Sequence, residues 1–322
     1  MNEASSKYVD QIAVEKLLNE KLKRVHHAPD SSGIRVDASF ADFDQLPQLP
    51  HSVSGSAGER MGEWTFPSFV RSKDEENDIV KCRFYSSENP KGEVIFVHGL
   101  YEDNLALYDA FLTELNDQGM GVCFMMLPYH YGRQPKGSSF SGEFFWSADL
   151  ERSALAFKQA VYDLYQLFHH ARHQSGRPVW IVGFSMGGGI ALSLAALTPL
   201  DGVFVINPVC NISDLVWHSP LFSTIRADLE ANGITFEHVK ARYSQVDPLN
   251  ARHVRTDRER IVLVKSLYDQ INDPENYTRL TERWAFKNIL TYKAGHLNVL
   301  RVPRLAADVA HFCLESRRHE LL

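Results

Sequence analysis

The chain has 322 residues, 44% hydrophobic and 23% charged, which fits a globular protein of one large domain or at most two. A formal net charge of −6 offers no broad basic field and excludes nucleic acid as an expected partner. No apolar run approaches the ~18 residues that span a bilayer, and Met1-Asn-Glu-Ala-Ser-Ser lacks the layout of a secretory signal. A soluble, cytoplasmic protein with no stable membrane insertion is therefore expected. Cys82, Cys123, Cys210 and Cys313 are scattered without C-x-x-C spacing, which favours reduced, packed thiols over disulfides or a metal site.

In chain order, residues 6–25 place Tyr8, Ile12, Leu18, Leu22 and Val25 at roughly helical spacing among Lys and Glu. This predicts an amphipathic helix docked on its own domain; Lys16, Lys21, Lys23 and Arg24 suggest membrane-surface binding as the weaker reading. Residues 28–61, rich in Ser, Gly, Pro and Asp, read as a linker or wrapping arm. The expected organisation is thus an N-terminal helix and arm over 1–61, then one domain over 62–322.

Strands are predicted at 63–70, 78–87, 92–98, 121–127, 178–184, 202–207, 261–267 and 288–294. From the third onward these are short apolar runs such as Val94-Ile-Phe-Val97, the mark of a parallel sheet buried on both faces. Helical segments lie between them. In 147–170, Leu150, Ala154, Phe157, Val161, Leu164 and Phe168 step by three and four behind Ser147 as N-cap. The alternation predicts an α/β fold with a doubly wound, mostly parallel, eight-stranded sheet. The interval after the sixth strand is too long for a plain crossover and too apolar for a disordered loop. Residues 209–255, with Trp217, Leu221, Phe222, Ile225 and Leu229, are read as a small helical cap that shapes a pocket over the strand ends.

The chemistry concentrates at Gly183-Phe-Ser-Met-Gly187, where the fifth strand breaks into a helix. A sharp turn that lifts the Ser185 hydroxyl clear needs near-absent side chains two residues to either side, and the helix behind it aims its N–H groups at a developing oxyanion. A serine hydroxyl needs a histidine to take its proton and a carboxylate to orient that histidine. Asp269 follows the seventh predicted strand, with Asp273 as its rival, and His296 follows the eighth. A nucleotide fingerprint, G-x-G-x-x-G, is not present in the required register.

With these features the chain resembles the α/β-hydrolase superfamily over about residues 62 to 318: the strand rhythm, Gly183-Phe-Ser-Met-Gly187, His98-Gly99 after the third strand, the insertion after the sixth, and the order Ser, Asp, His. The resemblance implies Ser185 as nucleophile, His296 as general base and then acid, and Asp269 as its partner. It also implies an oxyanion hole from the backbone N–H of Met186 and of Leu100. His98 is read as orienting that loop through hydrogen bonds. In Leu127-Pro-Tyr-His-Tyr-Gly-Arg-Gln-Pro135, His130 and Arg133 are candidates for an acidic group on a substrate; for Arg133 the favoured reading is an ion pair with a carboxylate such as Glu143 that holds the loop. His169, His170 and His173 are weighed as a metal site and set aside for want of a further ligand.

The expected function is a serine hydrolase that cleaves a carboxylic ester or related acyl bond of a small or medium-sized substrate through an acyl-enzyme, with no metal or organic cofactor. The alternatives are a catalytically silent protein of the same fold that binds a ligand or partner, and an acyltransferase or thioesterase using the same residues.

Overall fold

The apolar runs fold into strands because each presents alternate residues to two different cores. In a computed structural model, which describes residues 2–22, 54–55 and 61–315, the strands are β1 (Ser54–Gly55), β2 (Met61–Pro67), β3 (Ile79–Tyr85), β4 (Gly92–Val97), β5 (Met120–Met125), β6 (Val179–Phe184), β7 (Gly202–Ile206), β8 (Ile261–Ser266) and β9 (Asn288–Tyr292). They form one sheet in the order β1-β2-β3-β5-β4-β6-β7-β8-β9. The first four in that order pair antiparallel, and the rest, from β5 onward, pair parallel. The eight predicted strands are all present, and the two-residue β1 is added at the edge.

Along β4 and β6, Ile95, Val97, Val179 and Ile181 enter one core, and Val94, Phe96, Trp180 and Val182 the other. The first core is closed by α3 (Leu150–Ser175) and α4 (Met186–Leu197), the second by α2 (Ala106–Asp117) and α9 (Leu305–Glu315). Period-two alternation with both faces apolar forces helices onto both sides, which is the doubly wound arrangement. Strand β9 departs from the continuous-apolar reading: it lies at the edge, and Ile289 is 37% exposed.

Local corrections follow from tertiary contacts. The cap of α3 is Asp149, which accepts from the Arg152 N–H, while the Ser147 hydroxyl accepts from the Asp149 N–H. The insertion folds as α5 (Ile212–His218), α6 (Ser223–Ala231) and α7 (Phe236–Tyr243), packed inward so that Phe222 meets Trp146 at 4.5 Å between ring centroids. All four cysteines are buried thiols outside any disulfide. Helix α8 (Pro274–Trp284) fills the connection between β8 and β9.

The N-terminal helix α1 (Glu3–Lys16), prolonged by one π turn over Leu17–Lys21, docks on the domain as expected, with Val14, Leu17, Leu18 and Leu22 against the core, but Tyr8 and Ile12 face away from it. Tyr8 and Ile12 are exposed, whereas Ser6 and Asp10 are fully buried. Polar bonds to the loop after β9 set that rotation and override the weak amphipathic pattern. Lys23, Arg24, Val25 and most of the arm 28–61 lie outside the described residues. Among the described residues no helix is long and apolar enough to cross a membrane.

Candidate active site

The sheet order changes direction at β4, which pairs with β5 on one side and β6 on the other. Loops that leave β4 and β6 at their carboxyl ends therefore diverge and open a crevice. Gly99-Leu100 and Ser185 sit on those two loops. Ser185 has φ 53 and ψ −114, a backbone conformation that costs about 1–3 kcal/mol for a residue with a Cβ. The glycines make the corner possible: a Cβ on Gly183 would strike the backbone of Gly187, and one on Gly187 would strike the carbonyl of Val97. Helix α4 begins at the next residue, Met186.

His296, on the loop after β9, comes within 2.9 Å of Ser185 Oγ through Nε2, and within 2.9 Å of Asp269 Oδ2 through Nδ1. Because the carboxylate only accepts, Nδ1–H donates to Asp269 and Nε2 is left to accept the Ser185 hydroxyl. Asp269 is fixed in turn. Its Oδ1 accepts from Ile271 N at 2.8 Å and Asn272 N at 2.9 Å, and its Oδ2 accepts from the Tyr277 hydroxyl at 2.9 Å. Asp273, the rival acid, is occupied as the N-cap of α8, accepting from Glu275 N at 2.8 Å.

Burial pushes the Asp269 carboxyl up, but the facing His296 and the Asn272 and Ile271 N–H groups outweigh it and hold the carboxyl below its ordinary value. Burial pushes His296 down. The negative charge of Asp269 and its hydrogen bond, with smaller help from Asp10 and Glu102, reverse this and leave the imidazole above the ordinary histidine value.

On the β4 side, successive amides are distinguished by their partners. Gly99 N donates to the Tyr108 hydroxyl at 3.1 Å and Tyr101 N donates to His130 Nε2 at 3.0 Å. Neither the Leu100 N–H nor the Met186 N–H is taken by an acceptor among the described residues. His98 holds the base of this loop, its Nδ1 donating to Gly99 O at 2.6 Å and its Nε2 accepting from Leu127 N at 3.1 Å.

His130 and Arg133 do not reach the crevice. Both are fully buried. His130 Nδ1 donates to Pro128 O at 2.8 Å, and burial pushes its pKa down to about 3, so it is a neutral brace for the Tyr101 amide. Arg133 spends its fork internally: Nε and Nη2 donate to Asn77 O at 3.1 and 2.7 Å, Nη1 to Met126 O at 3.0 Å, and Nη2 pairs with Asp163 at 2.9 Å. The expected partner Glu143 instead accepts from Ser138 Oγ and Ser139 N. Contrary to the expectation from the sequence, neither residue faces a substrate: Arg133 is committed to the Asn77 and Met126 carbonyls and to Asp163, and His130 to the backbone of Pro128 and Tyr101.

A cavity of about 400 Å³ opens above Ser185 and His296, walled by Val9 and Ala13 of α1, Leu17 of the π turn that prolongs it, Leu221, Ile271 and Leu300. Of its described lining, Leu221 alone comes from 209–255, so the wall expected from the cap is supplied largely by α1. Glu102 also lines it. Burial pushes this carboxyl up to about 7, against a hydrogen bond from the Tyr108 hydroxyl. His169 and His170 pack edge-on against Tyr165 and Trp64, and no group of three or more His, Cys, Asp or Glu among the described residues is placed to hold a metal. Asp10 and Glu102 escaped the sequence reading. Neither belongs to a motif, and the helical pattern of 6–25 pointed away from Asp10.

A family model described as Serine aminopeptidase, S33 matches residues 88–282, more than half of the chain, and ends before His296. The acetyl xylan esterase 1 of Thermoanaerobacterium sp. JW/SL YS485 superposes with a TM-score of 0.61 at 18% identity, covering 92% of this chain and 98% of that one. The acetyl xylan esterase of Paenibacillus sp. R4 does so with a TM-score of 0.62 at 14% identity, covering 85% and 92%. A protein of Bacillus subtilis (strain 168), named Uncharacterized protein YdjC, is 28% identical over 107 residues, 33% of this chain and 91% of its own length. At these identities the two esterases testify to a shared fold.

Proposed function

Because the chain belongs to the Serine aminopeptidase, S33, family of α/β-hydrolases, we propose that it is a serine hydrolase that cleaves carboxylic esters or related acyl bonds of small to medium-sized substrates through an acyl-enzyme on Ser185. The observation that carries this reading is the unbroken series of contacts, Asp269 to His296 at 2.9 Å and His296 to Ser185 at 2.9 Å, at the floor of the cavity.

The steps follow from those contacts. Ser185 Oγ attacks the substrate carbonyl as His296 Nε2 takes its proton, and Asp269 stabilises the imidazolium. The negative oxygen of the tetrahedral intermediate is held by the Met186 and Leu100 N–H groups, at the head of α4 and in the loop after β4. His296 then gives its proton to the leaving alcohol, leaving an ester on Ser185. Water, deprotonated by His296, attacks that ester, and the proton returns to Ser185 as the acid departs. Retention of both hydrogen bonds supports this reading over a silent binding protein, which has no need of the Ser185–His296 contact.

A fluorophosphonate probe is expected to label Ser185, and His296→Ala to abolish the labelling. Only neutral His296 can accept the proton. Since its pKa lies above the ordinary 6.5, the labelling rate should fall with acidification through a midpoint above that value. Burial pushes Glu102 up to about 7, so the profile is measured in Glu102→Gln as well. Labelling at another residue, or a pH-independent rate in both proteins, contradicts the reading.

A further inference from the structure

The buried carboxylate of Asp10 joins the two loops that carry Asp269 and His296. Its Oδ2 accepts from His296 N at 2.7 Å and from Gln270 N at 3.2 Å, and its Oδ1 from Leu297 N at 3.0 Å. Gln270 directly follows Asp269. Gly295 makes the approach possible, because a Cβ there would lie 2.8 Å from Asp10 Oδ2 and 2.8 Å from Ser6 O. One turn earlier on α1, the Ser6 hydroxyl accepts from Asn298 Nδ2 at 3.2 Å, and both Ser6 and Asp10 are fully buried.

Helix docking alone does not account for this arrangement. Val14, Leu17, Leu18 and Leu22 already attach this segment to the core, and burying a carboxylate beside them adds cost rather than attachment, yet Asp10 is turned inward while Tyr8 and Ile12 stay in solvent. A buried charge that accepts several N–H bonds instead fixes the geometry of its donors. Here the donors are the backbone of the histidine itself and of the residue after its acid. The same helix and its π turn contribute Val9, Ala13 and Leu17 to the cavity wall, so one docking event both encloses the cavity and sets the histidine.

We propose that Asp10 is a positioning residue, which clamps the His296 loop to the Asp269 loop so that the Ser185 relay is assembled only with α1 docked. The proposal rests on the reading of Ser185 as nucleophile and His296 as base. The charged groups around His296 are Asp269 from the loop after β8, Asp10 from α1 and Glu102 from the loop after β4; those acting on Asp10 are His296 and Asp269. Asp10 is one of the charges that hold the imidazole above its ordinary value, so removing it should weaken the base.

The test uses the full chain with p-nitrophenyl acetate as substrate. Asp10→Asn, which turns an NH2 toward N–H groups, is expected to lower kcat by about 10- to 100-fold with little change in KM, and to move the acid limb of kcat/KM to lower pH. Ser6→Ala, which loosens the same helix without touching charge, should leave the limb in place. Thermal melting separates lost fold from lost rate, and Asp10→Ser, smaller and with an acceptor oxygen, gives the same reading if the Asn protein does not fold. An Asp10→Asn protein with the parent kcat and limb overturns the proposal. Ser185→Ala run in parallel separates the failures: its activity refutes the hydrolytic reading, whereas its silence beside an unshifted Asp10→Asn refutes the role of Asp10 alone.

Discussion

Ser185→Ala is expected to lower steady-state turnover of an alkyl ester by about a million-fold, the scale seen when one member of a cooperating triad is removed. The protein should keep its fold. Alanine has the same Cβ as serine at φ 53, so the strain at the corner is unchanged, and the loss is one hydrogen bond, to His296. The effect is large because the remaining groups, Asp269, His296 and the two amides, have no bond-forming atom to serve. Retained activity within about tenfold of the parent, in a protein that melts normally, would place the nucleophile elsewhere.

Arg133→Met is expected to cost about 3–5 kcal/mol of stability, measured as a fall in the urea unfolding midpoint. The guanidinium and the Asp163 carboxylate are both fully buried. Burial pushes Asp163 up and Arg133 opposes it, so the truncated protein would be left with an uncompensated buried acid, the Met126 carbonyl would lose its guanidinium donor, and the Asn77 carbonyl would keep only Gln159 Nε2. Combining Arg133→Met with Asp163→Leu should recover much of the loss, because a well-packed apolar pair replaces a pair that is expensive to bury. A further consequence reaches the site. Arg133 anchors the loop that carries His130, and His130 receives the Tyr101 N–H, so the single variant should also lower kcat as the Leu100 amide loses its alignment. A single variant that costs under about 1 kcal/mol would show that water replaces the lost partners.

The same pair marks the boundary of what the amino-acid sequence reveals. Local chemistry was legible: the break at Gly183-Phe-Ser-Met-Gly187, the apolar runs of β4 to β8, and the placement of Asp269 and His296 after successive strands all follow from near-neighbour patterns. Partnerships across the fold were not. Arg133 stood near Glu143 in the chain, but the path of α3 brings Asp163 to it, and nothing in the spacing encodes that meeting. The rotation of α1 is hidden from the sequence for a related reason. Tyr8 and Ile12 form a weak stripe, and three backbone N–H groups 260, 286 and 287 positions along the chain from Asp10 turn the other face inward. The source of the cavity wall is hidden with it, since the apolar residues of 209–255 pack against the body of the domain, as where Phe222 meets Trp146. Asp269 and Asp273 were separable once Asp273 was seen capping α8.

The most direct measurement is the mass of the protein trapped during turnover. Rapid acid quench of the parent with p-nitrophenyl acetate, followed by intact-mass and peptide analysis, should show one acetyl group on Ser185 that forms before steady state and disappears as substrate is exhausted. In His296→Ala the adduct should not form. Rapid hydrolysis with no acyl group on Ser185 in any quenched sample, or an acyl group on a different side chain, would contradict the account.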